Sequence, residues 1–181
     1  MRWERLFEDL EAQLTSDDAR DLAAEVADRT RRERALVEMQ GRLLANVDAG
    51  QVSIDIVGGA LRGPLRGVGP DWLLIEPRPD RSTLVSLAAV QLITGLEPGA
   101  GQVSVVAKRF GLGAALRAIS RDRAPVEVTL TSGRALPGTI DVVGADHLEM
   151  AAHPLDEPRR SGNVRARQVV PFPALAAVRR A

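Results

Sequence analysis

Two stretches of the chain carry the same pattern, and they decide the fold. Val52 to Ile75 reads VSIDIVGGALRGPLRGVGPDWLLI, and Val126 to Met150 reads VEVTLTSGRALPGTIDVVGADHLEM. One inserted residue in the hairpin aligns the two stretches, so that Gly63 matches Gly138. An internal repeat of this kind predicts that the two copies fold as the same structural unit.

Each copy has the pattern of a strongly bent antiparallel sheet. Apolar and polar residues alternate from Val52 to Ile56, which is the period of a half-buried strand. Gly63 and Gly138 lie inside the second strand of their copies, where glycine marks a bend or a close approach of two backbones. Each copy then ends in an apolar strand pair split by a short turn, at 84–93 and at 169–178. Five short strands with a bend in the second predict a small closed barrel in each copy.

The glycine pattern of the second copy also resembles a known family. The segment VEVTLTSGRALPG, Val126 to Gly138, is similar to the first motif of the Sm-like (LSm) small β-barrels, and the apolar strand pair lies where their second motif would. The likeness covers about half of the chain as two copies. It implies the barrel fold but no base-specific pocket, because Asp146 does not keep the family's spacing and no asparagine follows it. The whole chain also resembles a bacterial family of helix-plus-tandem-barrel proteins from high-GC, actinobacterial genomes, which implies no function.

The first 49 residues differ in character from the repeat. They contain no proline, and twelve acidic side chains stand against eight basic ones. Apolar residues at helical spacing predict a first helix over about 2–14 and a second from about Asp17 to Asn46, which pair as a helical hairpin. The expected fold class is therefore α+β: an N-terminal α-helical hairpin followed by two small five-stranded Sm-like β-barrels joined by a bridging helix. The expected domains are a helical head at 1–49, a first barrel at 50–97, a linker with the bridging helix at 98–123, and a second barrel at 124–181.

The composition excludes several classes of site. The chain has no cysteine, so disulfides, iron–sulfur clusters and thiolate zinc sites are absent. Its two histidines, His147 and His153, do not predict a metal site, and neither a phosphate-binding loop nor a dinucleotide fingerprint occurs. Ser132-Gly133 is a turn and not a nucleophile elbow, because no helix follows it. We expect no enzyme, no metal and no cofactor.

The termini and apolar runs predict a cytoplasmic protein without a membrane partner. The first residues, MRWERLFEDL, are charged throughout and do not form a signal peptide. No apolar run approaches the ~20 residues that span a bilayer.

Basic residues cluster in two places. Residues 104–123 hold five basic side chains against Asp122 alone, and residues 158–181 hold six arginines without an acid. Such clusters neutralise phosphates, and they predict a non-enzymatic, RNA-associated module that binds through the second barrel and the bridging helix. The alternative is that the arginines pair with the acidic head through Glu8, Asp9 and Glu11. The candidate nucleic-acid-binding residues are Arg109, Arg117, Arg121, Arg167, Arg179 and Arg180.

Two apolar residues are expected to face away from the first barrel. Strand parity directs Leu73 into the core and therefore Trp72 and Leu74 outward. Their counterparts in the second copy are the polar residues His147 and Glu149. A large apolar pair on the outer face predicts an interface, with the second half of the long helix as its cover, or a Trp72 that stacks on a ligand.

Two other functions remain open from the sequence. The first is a protein–protein adaptor without nucleic-acid binding, in which a partner docks on the helical head. The second is a DNA-binding transcription regulator, because Ala107 to Ile119 resembles a helix-turn-helix. We expect a monomer or a dimer, since the helices should cover sheet edges.

Overall fold

The chain forms two compact units. The computed structural model describes residue 20 and residues 22–79, 81–102, 109–156, 160 and 162–180. The units are Met1–Glu38 and Met39–Ala181. In the first unit, residues 22–35 form a helix (α1) in which Arg29 Nε lies 3.2 Å from Glu33 Oε1, one turn away. Within the described part of the chain, no helix is long and apolar enough to cross a bilayer.

The second unit begins with a short helix, α2 (Met39–Ala45). The predicted helical hairpin with one long second helix is therefore wrong, and its first helix, at 2–14, lies outside the described residues. The helix breaks after residue 35, where the amide of Leu36 donates to the carbonyl of Glu33. The physical reason is packing: Leu43 of α2 is fully buried in the core of the sheet, whereas the preceding residues 28–34 contain no apolar side chain to bury there.

Among the described residues, the rest of the second unit consists of strands, two single-turn 3₁₀ helices at Leu87–Ala89 and Phe172–Ala174, and the helix α3 (Leu112–Ser120). The strands are β1 (Gln51–Ile56), β2 (Gly59–Val68), β3 (Trp72–Arg78), β4 (Arg81–Ser86), β5 (Val90–Thr94), β6 (Val126–Leu130), β7 (Ala135–Val143), β8 (His147–Ala152), β9 (Ala166–Pro171) and β10 (Leu175–Arg180).

The prediction of two five-stranded Sm-like barrels joined by a bridging helix is wrong. All ten strands form one open antiparallel sheet in the order β5-β1-β2-β3-β4-β10-β6-β7-β8-β9. The last strand causes the difference, because β10 pairs with β6 of its own copy and also with β4 of the first copy. Helix α3 does not bridge two barrels but packs on the second half of the sheet, against β7.

The sequence repeat is nevertheless visible in the pairing of the backbone. Val52 pairs with Gly63 in the first half, and Val126 pairs with Gly138 in the second. The next strand pair contains the same irregularity in both halves: a register shift precedes the pair Gly67 with Leu74, and the same shift precedes Val142 with Glu149. The two halves therefore share their strand order and the position of this register shift.

The two halves bury opposite faces of the sheet. Val85 of β4 pairs with Ala177 of β10, and both belong to the first hydrophobic core. Their neighbours Leu84 and Val178 also pair, and both belong to the second core. Because successive residues of a strand point to opposite faces, the two cores lie on either side of the central strands. Strands β4 and β10 are consequently buried on both faces, and the sheet continues through them.

Two glycines allow neighbouring strands to approach closely, as predicted. A Cβ at Gly63 would lie 2.3 Å from the carbonyl oxygen of Glu76, and one at Gly138 would lie 2.2 Å from that of Ala151. These oxygens belong to the backbone, so they cannot move away by a change of side-chain rotamer. Of the two alternatives predicted for these glycines, a bend or a close approach of two backbones, the close approach is present at both positions.

Adding a methyl group at Gly138 should therefore destabilise the second half of the sheet. We expect G138A to lower the free energy of unfolding by about 1–3 kcal/mol, because the strand must shift away from β8. Urea unfolding followed by circular dichroism measures the change. The control is G50A, since a Cβ at Gly50 meets no atom within 4 Å. Equal stability of G138A and G50A would show that the close approach is absent.

Candidate functional site

The start of β3 holds the N-terminus of α3. The Asp71 carboxylate accepts a hydrogen bond from the backbone N–H of Leu112, with 2.7 Å between the nitrogen and Oδ1. The next residue, Trp72, donates its indole N–H to the carbonyl oxygen of Phe110 at 2.6 Å. An aspartate at this end of a helix satisfies an amide that has no partner inside the helix. Two adjacent residues of the first copy thus fix the helix that follows it.

The second copy uses the equivalent residues differently. Asp146 Oδ1 lies 2.8 Å from His147 Nδ1, so this aspartate bonds to its neighbour and not to a helix. The hydrogen bond from His147 holds the pKa of the Asp146 carboxyl below its ordinary value. In the described part of the chain, no cluster of three or more acidic, histidine or cysteine side chains can hold a metal ion.

Helix α3 is amphipathic and covers the second core. Leu112 and Leu116 are buried in that core, while Arg117 and Ala118 are exposed. The apolar surface continues past the helix, because Leu74 pairs with Leu84 and Leu84 with Val178 on the same face of the sheet. A row of apolar side chains therefore runs from the second core towards β3.

This row ends in an open groove between α3 and strands β3 and β4. The groove has a volume of about 630 Å³, and its walls are mainly apolar. Phe110 lies at its edge and is 56% exposed. The apolar lining residues that matter here are Trp72, Leu74, Leu84, Phe110, Ala115 and Ile119.

Trp72 and Leu74, the predicted interface residues, both lie in the groove. The helix beside them is α3 and not the second half of the long helix, since α2 packs against β2. Leu84 and Ala115 were not among the residues predicted for this site. The sequence did contain one signal for this site: Trp72 is a large apolar residue, whereas its counterpart in the second copy, His147, is polar. The two copies were therefore expected to differ at this face.

The candidate arginines lie in several environments. Arg121 lines the groove, and so does Arg117, which donates to the carbonyl oxygen of Gly144 at 3.1 Å. Arg167 lies in a polar cleft that also contains Asp141 and Glu149. Arg109 is exposed just before α3.

The two arginines of β10 are paired with acids of the second half of the sheet. Arg179 Nη2 lies 2.8 Å from Glu127 Oε1, and Arg180 Nη2 lies 2.5 Å from Asp122 Oδ2. The acids of the head that were considered as partners, at positions 8, 9 and 11, lie outside the described residues. Because both side chains of the Arg180–Asp122 pair are about half exposed, this pair contributes only about 0–1 kcal/mol to stability, while the Glu127 side chain of the other pair is more buried.

Comparison of the chain with family models, with curated proteins and with solved structures found no match.

Removing the Asp71 carboxylate should loosen α3. We expect D71A to lower the free energy of unfolding by about 1 kcal/mol, because the Leu112 amide loses its acceptor. D71N should lose less, since an asparagine side chain also accepts a hydrogen bond. Urea unfolding measures both variants. The control is D55A, because the carboxylate of Asp55 in β1 has no hydrogen-bond partner among the described residues. A D71A variant as stable as D55A would contradict the capping role.

Proposed function

We propose that the protein is a non-enzymatic protein-binding module whose groove holds an apolar segment of a partner protein. The observation that carries the proposal is the apolar row that ends, among the described residues, in an open groove at the half-buried side chains of Trp72 and Leu74, beside the exposed ring of Phe110. A contiguous apolar surface that is open to solvent typically marks an interaction site. This function is the adaptor alternative of the sequence analysis, with the docking surface at α3 in place of the helical head.

The shape and chemistry of the groove favour a polypeptide segment over a small polar ligand. A small-molecule pocket encloses most of its ligand and offers several convergent polar groups. Here the edge residue Phe110 is more than half exposed, and the polar side chains of the lining are Arg117 and Arg121. An apolar side chain of a partner can fill such a groove while the rest of the partner stays in solvent.

The charge at the groove indicates the composition of the partner. Arg121 forms no ion pair with an acid among the described residues, and the Arg117 guanidinium bonds to a neutral carbonyl group. Both side chains can therefore pair with carboxylates of the partner. We infer an amphipathic segment with apolar residues on one face and glutamate or aspartate beside them.

Two synthetic peptides test this function. One consists of leucine and glutamate in an amphipathic helical pattern, and the other has lysine in place of glutamate. In a W3F background, Trp72 is the sole tryptophan, so its fluorescence reports on the groove. We expect the acidic peptide to bind and to shift Trp72 emission to shorter wavelength, and the basic peptide to bind at least about tenfold more weakly.

A substitution in the groove provides the specificity control. Ala118 is exposed and lines the groove, so A118E places a negative charge there without removing a packed side chain. We expect A118E to weaken binding of the acidic peptide by at least about tenfold. A24E makes the same change on the exposed surface of α1 and should bind like the parent. Equal binding by A118E and A24E, or no binding by the parent, would contradict the proposed function.

A further inference from the structure

A second cleft lies at the other end of the central strands. It has a volume of about 170 Å³ and is formed by the β3–β4 hairpin and the end of β10. Four of the residues that line it are arginines: Arg78, Arg81, Arg179 and Arg180. Arg179 and Arg180 are among the residues predicted to bind nucleic acid, whereas the two arginines of the hairpin are not.

The hairpin arginines are placed unfavourably for a protein without a ligand. Arg78 and Arg81 are direct partners across the β3–β4 hairpin, and both are exposed. Neither forms an ion pair with an acid among the described residues, and Asp80, between them, lies outside these residues. Like charges directly opposite each other on two strands are destabilising. An anion between the two guanidinium groups would attract both of them and so offset the repulsion between them.

The β4–β10 pairing brings the other two arginines to the same cleft. Thr83 of β4 pairs with Arg179, so the end of β10 lies beside the hairpin. Glu127 and Asp122 balance the charges of Arg179 and Arg180, which leaves the charges of Arg78 and Arg81 in excess. Thr83 also lines the cleft and adds a hydroxyl donor.

We propose that this cleft binds a phosphate group. Guanidinium groups match the oxygens of a phosphate with paired hydrogen bonds, and arginine is the preferred residue where phosphate is recognised in this way. The phosphate belongs either to a nucleic-acid backbone or to a small phosphorylated compound, and both present the same oxygens to the cleft. The site is separate from the groove at α3 and does not depend on its function.

The test uses two probes, a fluorescently labelled single-stranded RNA of mixed sequence and inorganic pyrophosphate. Fluorescence anisotropy follows the RNA, and isothermal titration calorimetry follows pyrophosphate. The variant is R78A/R81A, because these arginines carry the unbalanced charge and their loss breaks no ion pair with a described acid. The control is R134A/R165A, which removes the same charge from two exposed positions outside the cleft.

We expect the parent to bind at least one probe at low salt, and R78A/R81A to bind it at least about tenfold more weakly. If the probe is RNA, the slope of log affinity against log salt should become shallower by about 1.4, since two phosphate contacts to a single strand are lost. R78K/R81K should keep most of the salt dependence but bind more weakly, because lysine keeps the charge and loses the planar fork. R134A/R165A should bind nearly as the parent does.

The two probes distinguish the source of the phosphate. Binding of RNA without pyrophosphate assigns the cleft to a nucleic-acid backbone, and binding of pyrophosphate without RNA assigns it to a small phosphorylated compound. Thermal unfolding controls for the fold: R78A/R81A should melt at or above the parent's temperature without ligand, because a like-charge pair is removed. No binding of either probe by the folded parent, or an equal loss of binding in R134A/R165A, overturns the proposal.

Discussion

The pairing of β4 with β10 is the constraint on which the second unit depends. Each of these strands is buried on both faces, so neither can lie at the edge of a separate five-stranded unit without exposing an apolar surface to water. Leu84 pairs with Val178, and both side chains lie in the second core; Val85 pairs with Ala177, and both lie in the first core. The same pairing joins the backbones of β4 and β10. The two copies of the repeat are therefore one cooperative structure that shares its central strands.

Both candidate sites follow from this junction. The groove exists because the apolar face of β3 and β4 continues the second core, and α3 covers only part of that face. The arginine cleft exists because the end of β10 lies against the β3–β4 hairpin. The arginine cleft takes residues from both copies, whereas the groove takes its residues from β3, β4 and α3, the helix that packs on the second half of the sheet.

The sequence predicted the local features of the repeat well. Alternation of apolar residues located the strands, and the close approaches at Gly63 and Gly138 followed from glycine in a strand interior. Strand parity also directed Trp72 and Leu74 to the face opposite Leu73, where the groove lies. These features depend on residues near each other in the chain, and local pattern is sufficient for them.

The connection between the copies could not be predicted in this way. The continuous apolar run Leu175–Val178 is typical of a strand buried on both faces, but it does not identify the strands that lie on either side of it. The surroundings of the arginines could not be predicted for the same reason. The number of charged residues in a stretch of sequence did not show that Arg179 faces Glu127 on the neighbouring strand, or that Arg78 faces Arg81 across a hairpin. The break after residue 35 was missed because the following turn contains neither proline nor glycine.

Nuclear Overhauser effects between β4 and β10 test this account most directly. In the isotopically labelled protein, the account predicts cross-strand contacts between backbone protons of Leu84 and Val178 and of Val85 and Ala177. It also predicts contacts of Val178 with Val128 on the other side of β10. Contacts of β10 with β6 but none with β4 would contradict it, because the two halves would then be separate sheets and neither the groove nor the arginine cleft would form.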